Sequence, residues 1–196
     1  MRVIAGSRKG HRIAAPKGVD TRPTADRVRE AAFNLIGPVD ELEVLDLYAG
    51  SGAMGIEALS RGAARAVFVE ADRSAAQAIE RNLEKLRLTG AAIVRIDAVT
   101  ALAAEAAAGR RYDLVLVDPP YEMFSSAQTA LARYLPAVLE PGALVVVETA
   151  AAEEPELPLL KRTSRRYGSA RLTVFESDTQ GPSLNRDSPC EGTVPE

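Results

Sequence analysis

The chain has 196 residues, 46% of them hydrophobic and 26% charged, with a formal net charge of −3. This is the size and composition of one soluble globular domain with a substantial core. A single cysteine, Cys190, excludes an internal disulfide and a cysteine-based metal cluster, and a single histidine, His11, excludes a histidine-rich metal site. No apolar run reaches the length of a membrane span and the N-terminus lacks a signal-peptide core, so the expectation is a cytoplasmic protein with no membrane partner and no metal.

The net charge hides an asymmetry. Residues 1–29 carry eight Lys/Arg against two acids, a balance of +6, which leaves −9 for the rest of the chain. A second basic cluster comprises Lys161, Arg162, Arg165, Arg166 and Arg171. Two such clusters in an otherwise acidic chain suggest a polyanionic partner; a solvated basic face is the plain alternative.

In chain order, residues 2–4 and 12–14 are short strand-like pieces flanking a basic loop, Gly6-Ser7-Arg8-Lys9-Gly10. So little apolar matter predicts a mobile hairpin. Thr24 is a candidate N-cap, and Val28, Ala31, Ala32, Leu35 and Ile36 recur at helical spacing until Gly37-Pro38 ends the helix. Strand and helix patterns then alternate. Strands are predicted over 44–48, 66–70, 92–96, 112–117 and 143–148, and helices over 53–61, 74–88, 98–108 and 127–139. Pro136 should kink or break the last of these. Continuous apolar strands between amphipathic helices indicate a mainly parallel sheet covered on both faces. Residues 159–166 and 170–176, around Tyr167-Gly168-Ser169, read as an antiparallel hairpin that closes the sheet, and residues 177–196 as a disordered tail.

Two stretches carry the chemistry. After the first strand, Gly50-x-Gly52-x-x-Gly55 forms a strand, glycine turn and helix start, the way a nucleotide-like ligand is held at the carboxyl edge of a parallel sheet. The pattern alone also fits a dinucleotide. After the fourth strand, on the same edge, stands Asp118-Pro119-Pro120-Tyr121. The prolines fix the backbone and remove amide donors. What is left is a carboxylate, rigid carbonyl acceptors and an aromatic ring. That set suits the exocyclic amine of a flat base, with its two hydrogens held by Asp118 and a main-chain carbonyl (that of Pro119) and its ring stacked on Tyr121. A plain Pro-Pro loop after a strand is the bland alternative.

The Asp-Pro-Pro-Tyr run, together with Leu-Asp-Leu-Tyr-Ala-Gly-Ser-Gly at residues 45–52, resembles the S-adenosylmethionine-dependent amino-group methyltransferases. Arg-Val-Ile-Ala-Gly at 2–6, Thr-Arg-Pro-Thr-Ala-Asp-Arg-Val-Arg-Glu at 21–30, Phe33-Asn34 and Arg166-Tyr167-Gly168 narrow the resemblance to the RsmD family, over roughly residues 2–176. The resemblance implies a Rossmann-like class I methyltransferase fold, α/β, with a mainly parallel sheet, an antiparallel C-terminal hairpin and a small N-terminal hairpin-helix extension. Residues 1–38 would be that extension, 39–176 the methyltransferase domain and 177–196 the tail.

It further implies methylation of N2 of a guanine in 16S ribosomal RNA, position 966 by family, within a 30S particle or assembly intermediate. Asp118, Pro119, Pro120 and Tyr121 would be catalytic. Asp46 would lie near the cofactor's amino group, and Tyr48, Ala49, Gly50, Ser51 and Gly52 would line its methionine side. Glu70, 18 residues past Gly52, would bind the ribose hydroxyls, Ala71 would flank the adenine, and Asp97-Ala98 would meet the adenine edge. Arg2, Arg8, Lys9, Arg12, Arg22, Arg165 and Arg166 are the candidate RNA contacts; Arg22 serves equally as a cofactor contact or a solvated helix-start residue. The rivals are an enzyme acting on another RNA or on adenine in DNA, a nicotinamide-dependent oxidoreductase, and a non-catalytic RNA-binding module. Without a cysteine in the domain, covalent chemistry at C5 of a pyrimidine is excluded.

Overall fold

The computed structural model describes residues 1–15 and 23–178. Seven strands form one sheet: β1 Glu43–Leu47, β2 Arg65–Val69, β3 Ala91–Val94, β4 Tyr112–Val117, β5 Leu139–Ala150, β6 Leu160–Tyr167 and β7 Ala170–Glu176. Their spatial order is β3-β2-β1-β4-β5-β7-β6. The first five in that order pair in parallel, and β7 is antiparallel to both β5 and β6. The strand order reverses between β1 and β4, so the loops after these two strands open a crevice at the carboxyl edge of the sheet.

Period-two alternation divides the core. Val44, Phe68, Leu114, Leu116, Val146 and Leu172 point to one face, and α1 (Pro23–Ile36), α2 (Ala53–Ser60) and α3 (Arg73–Leu86) cover it with Phe33, Ile56 and Ile79. Leu45, Leu47, Val67, Val115 and Val147 point to the other, against α4 (Ala98–Ala107) and α5 (Tyr121–Tyr134) with Leu102, Phe124 and Leu131. Among the described residues no helix is long and apolar enough to cross a membrane.

Three element starts change, and Pro136 breaks the last helix as expected. Helix α1 starts at Pro23, ahead of the expected cap at Thr24, because proline lacks the amide that the first helical position leaves unpaired. Helix α5 starts at Tyr121, six residues early. Pro120 takes the cap position, its carbonyl accepts from the Met123 amide at 2.8 Å, and buried Phe124 anchors the first turn. Pro136 ends the α-helix at Tyr134 and the chain continues as a 3-10 turn over Leu135–Val138. Strand β5 begins at Leu139 and carries Pro141-Gly142 through a register irregularity against β4.

The N-terminal hairpin is firmly docked, contrary to the expectation of a mobile piece. Arg2 and Arg12 form an isolated antiparallel bridge and Gly6–Arg8 a 3-10 turn, while Val3 and Ile13 enter the core shared with α1–α3. Glu57, buried in α2, accepts from the amides of Ile4 (2.8 Å) and Ala5 (2.9 Å), and Ser60 Oγ accepts from the amide of Arg8 (3.0 Å). At the other end of the chain, Ser177 is still tied to the sheet through the carbonyls of Ala143 and Glu140. The rest of the expected tail, with Cys190, and the Thr21-Arg22 pair lie outside the described residues.

Candidate active site

The turn after β1 is built from unusual backbone and buried carboxylates. Tyr48, Gly50 and Gly52 all have positive φ, +61°, +56° and +77°. For the two glycines this is free; for Tyr48 it is a strained conformation that the surroundings must hold. The Glu70 carboxylate holds it from β2, with Oε2 accepting from Gly50 N at 2.7 Å and Oε1 from Asp72 N at 2.8 Å. Asp46 holds it from beneath. Only 1% exposed, it accepts from Gly55 N at 2.9 Å in the first turn of α2. Gly55 must be glycine: a Cβ there would stand 2.3 Å from the Phe68 ring.

Asp46 is therefore placed under the loop and bonded to α2, and not in an open position facing a ligand. Asn82, buried in α3, ties this loop to the N-terminal segment: its Nδ2 donates to the carbonyls of Ser51 (3.1 Å) and Ala14 (2.9 Å), and its Oδ1 accepts from the Ala14 amide.

Asp118-Pro119-Pro120 follows β4 directly, and the Asp118 amide approaches the carbonyl of Leu47 at 3.5 Å, so it sits beside the glycine turn. Tyr121 is the first residue of α5 and is 37% exposed at the crevice with Met123 nearby in the same turn. Asp97 caps α4, accepting from Thr100 N at 2.9 Å, and Ala98 is buried behind it, while Ala71 is exposed after β2.

Acidic groups crowd this edge. Burial, followed by the proximity of Asp118 and Glu70, raises the Asp46 carboxyl to about 7 against the lowering effect of the Gly55 amide. Asp118 is exposed in the crevice, yet enough protein surrounds its carboxyl for desolvation to raise it to about 6. Glu148, near the end of β5, is raised to about 8 by burial and by Asp118. Burial, with Asp97 second, raises the Tyr48 hydroxyl. In the sequence Glu148 reads only as the end of the fifth strand, and Asn82 does not stand out as a site residue. A charged residue closing the apolar run Val145-Val146-Val147 was the available signal for the first; nothing local marks the second.

A family model described as conserved hypothetical protein 95 matches residues 1–176. A Bacillus subtilis protein, YlbH, described as a candidate rRNA methyltransferase, is 40% identical over 185 residues, covering 90% of this chain and 98% of that one. Ribosomal RNA small subunit methyltransferase D of Escherichia coli is 42% identical over 122 residues, 62% of this chain and 60% of that relative. The chain belongs to the RsmD family. A solved Escherichia coli structure described as a candidate methyltransferase, yhhF, superposes on this RsmD-family protein with a TM-score of 0.78 at 32% identity, covering 92% and 99% of the two chains. The sheet and its helices are those of the class I S-adenosylmethionine-dependent methyltransferases.

The candidate RNA contacts of this RsmD-family protein fall into two places. Arg165 pairs with Leu172, which pairs with Glu148, so the exposed Arg165 and Arg166 of β6 lie at the same edge of the sheet as the crevice. Lys161, Arg162 and Arg171 of that cluster are engaged instead by Glu154 and Glu176. The hairpin tip lies at the other edge. Arg8 donates to the carbonyls of Leu86 and Arg87 at the C-terminus of α3, whereas the N-terminus of α3 adjoins Glu70. Fourteen residues of helix separate the two ends, about 20 Å. Arg2, Lys9 and Arg12 are exposed along this hairpin.

Proposed function

We propose that this protein transfers a methyl group to N2 of a guanine in 16S ribosomal RNA, position 966 by family, acting in the cytoplasm on a 30S particle or assembly intermediate. By family it is an S-adenosylmethionine-dependent rRNA methyltransferase. One observation carries the cofactor reading beyond kinship. In a dinucleotide site the amides of the glycine turn and the following helix hold an anionic pyrophosphate. Here the Gly50 and Gly55 amides are already bonded to the carboxylates of Glu70 and Asp46. An acidic edge with filled amides suits a cationic sulfonium ligand and disfavours a pyrophosphate, which argues against a nicotinamide-dependent oxidoreductase.

Glu70, the Tyr48–Gly52 turn, Ala71 and the Asp97-Ala98 corner would hold the cofactor, with Asp46 keeping the turn in shape. Bound S-adenosylmethionine supplies an electrophilic methyl group, already activated on its sulfonium. The protein's part is position and electrostatics. The amine of guanine is a weak nucleophile because its lone pair is delocalised into the ring. Asp118 and the Pro119 carbonyl are the acceptors for its two hydrogens, since the Pro120 carbonyl is engaged by Met123. Holding both hydrogens favours a pyramidal nitrogen whose lone pair can attack. Asp118 also stands ready for the proton that N2 gives up. Tyr121 offers a face for the base.

The test is methylation of 30S particles lacking the mark, with labelled cofactor and the modified nucleotide mapped. Label on N2 of a single guanine is expected. Label on adenine, or none on the particle but label on duplex DNA offered in a parallel reaction, or none at all, would replace this reading with one of its rivals.

A further inference from the structure

We propose that Glu148 is a specificity residue, its carboxyl group pairing with N1–H and O6 of the target guanine while Asp118 and the Pro119 carbonyl hold N2. The inference rests on the guanine-N2 reading above and adds to it the residue that tells guanine from other aminopurines.

The placement comes from register. Strand β5 lies beside β4 in parallel, with Leu116 opposite Val146 and Val117 opposite Val147. One step further along both chains brings Glu148 beside Asp118. Leu116 and Val146 point into the core under α1–α3, so by the two-residue period Asp118 and Glu148 both stand on that face. Neighbouring strands are about 4.8 Å apart, a spacing that one edge of a purine can bridge. No hydrogen bond or ion pair engages either carboxyl group among the described residues.

The chemistry follows from how the pair divides. Desolvation, with Asp118 second, lifts the Glu148 carboxyl to about 8, whereas Asp118 rises only to about 6. Two carboxyl groups on neighbouring strands share a proton more readily than they ionise together, and burial favours the neutral form at Glu148. A carboxylate accepts twice and suits an amine. A neutral carboxyl carries one donor and one acceptor side by side. Next to its N2 amine guanine presents N1–H, a donor, and then O6, an acceptor, which match the acid with two hydrogen bonds. Adenine presents, next to its own amine, a lone acceptor and then a C–H, and can make only one of them. Two carboxyl groups pushed apart by environment thus take two roles in one site.

The test uses a synthetic fragment of 16S RNA that the wild-type protein methylates, with guanine or 2-aminopurine at the target nucleotide. 2-Aminopurine keeps the N2 amine but has an acceptor at N1 and no oxygen at C6. Single-turnover rates are compared for wild type, Glu148→Gln and Glu148→Ala. Wild type should prefer guanine by about tenfold or more. Glu148→Gln should keep that preference and a rate on guanine within about threefold of wild type, because an amide offers the same donor and acceptor pair. Glu148→Ala should lose the preference while retaining affinity for S-adenosylhomocysteine. A preference that survives Glu148→Ala, or one that Glu148→Gln loses, overturns the proposal. If Glu148→Ala does not fold, Glu148→Met, similar in volume but without the donor and acceptor pair, takes its place and should likewise lose the preference. Absence of guanine methylation by wild type on 30S particles lacking the mark would instead remove the underlying reading of function.

Discussion

The Glu57 carboxylate and the Arg29 guanidinium lie 3.6 Å apart, with side chains 0% and 3% exposed, and join α2 to α1 beneath the N-terminal hairpin. Glu57 also accepts from Arg61 Nε at 2.8 Å and from two hairpin amides, while Arg29 donates to the carbonyl of Arg2 and to Asp26. Removing Glu57 takes a buried carboxylate from Arg29 and Arg61 and leaves two hairpin amides without their acceptor, at a cost of about 3–5 kcal/mol. Glu57→Ala should therefore lower the melting temperature by roughly 10 °C. A change of only a degree or two in a thermal melt would show that the hairpin is held without Glu57, by Val3, Ile13 and its bonds to Ser60 and Asn82.

Asp118→Ala should fold and bind S-adenosylhomocysteine normally but lose methyl transfer by about 10²-fold or more, the scale of removing a group aimed at the reacting atom. In the proposed reaction Asp118 accepts as a carboxylate, and desolvation raises its carboxyl to about 6, so the wild-type single-turnover rate should decline as pH falls through about 6. Near-normal transfer by the alanine variant, or a rate flat down to pH 5, would remove Asp118 from the reaction.

Stability should move the opposite way with pH. Asp46, Asp118 and Glu148 all have carboxyls raised in the folded state, to about 7, 6 and 8. Between about pH 4 and 8 the native chain keeps protons that the unfolded chain releases, so this contribution to stability is full below that window and is lost as pH rises through it. The ligand-free protein should melt lower at pH 8 than at pH 5.5. Asp46→Asn, which keeps an acceptor for Gly55 N, should gain more at pH 8 than at pH 5.5. Equal shifts at the two pH values would mean that Asp46 is ionised throughout.

Charge removal should separate two kinds of arginine. Lys9→Ala with Arg12→Ala, or Arg165→Ala with Arg166→Ala, should weaken RNA binding and flatten its salt dependence, by roughly 0.7 in log–log slope per lost contact to a single strand. Arg8→Ala should leave that slope nearly unchanged and lower the melting temperature by a few degrees, because Arg8 closes the C-terminus of α3. Filter-binding titrations over a range of salt, beside thermal melts, distinguish the outcomes.

Local pattern carried the sheet, the glycine turn and the Asp118-Pro119-Pro120-Tyr121 corner, because strand periodicity and the two motifs are short-range features. Element ends were less legible. Pro120 and Pro136 each have two readings in one dimension, and only the burial of Phe124 and the pairing of β5 with β4 decide between them. Least legible were the polar residues whose partners lie far along the chain. Glu57 finds Ile4 53 residues away and Asn82 finds Ala14 68 residues away. Asp46 was visible as a site residue, but its carboxylate turns inward to Gly55, a direction set by tertiary packing.

The basic hairpin tip and the Glu70 side of the crevice lie at opposite ends of α3, and on the proposed function this separation would turn the protein into a gauge of substrate size. A free nucleoside or very short oligonucleotide can fill the crevice yet never reach Lys9. Only an RNA long enough, or folded so as, to meet both ends of the helix can gain the phosphate contacts at the hairpin together with a base in the site. A guanine presented outside such a surface would then be chemically acceptable and still be passed over.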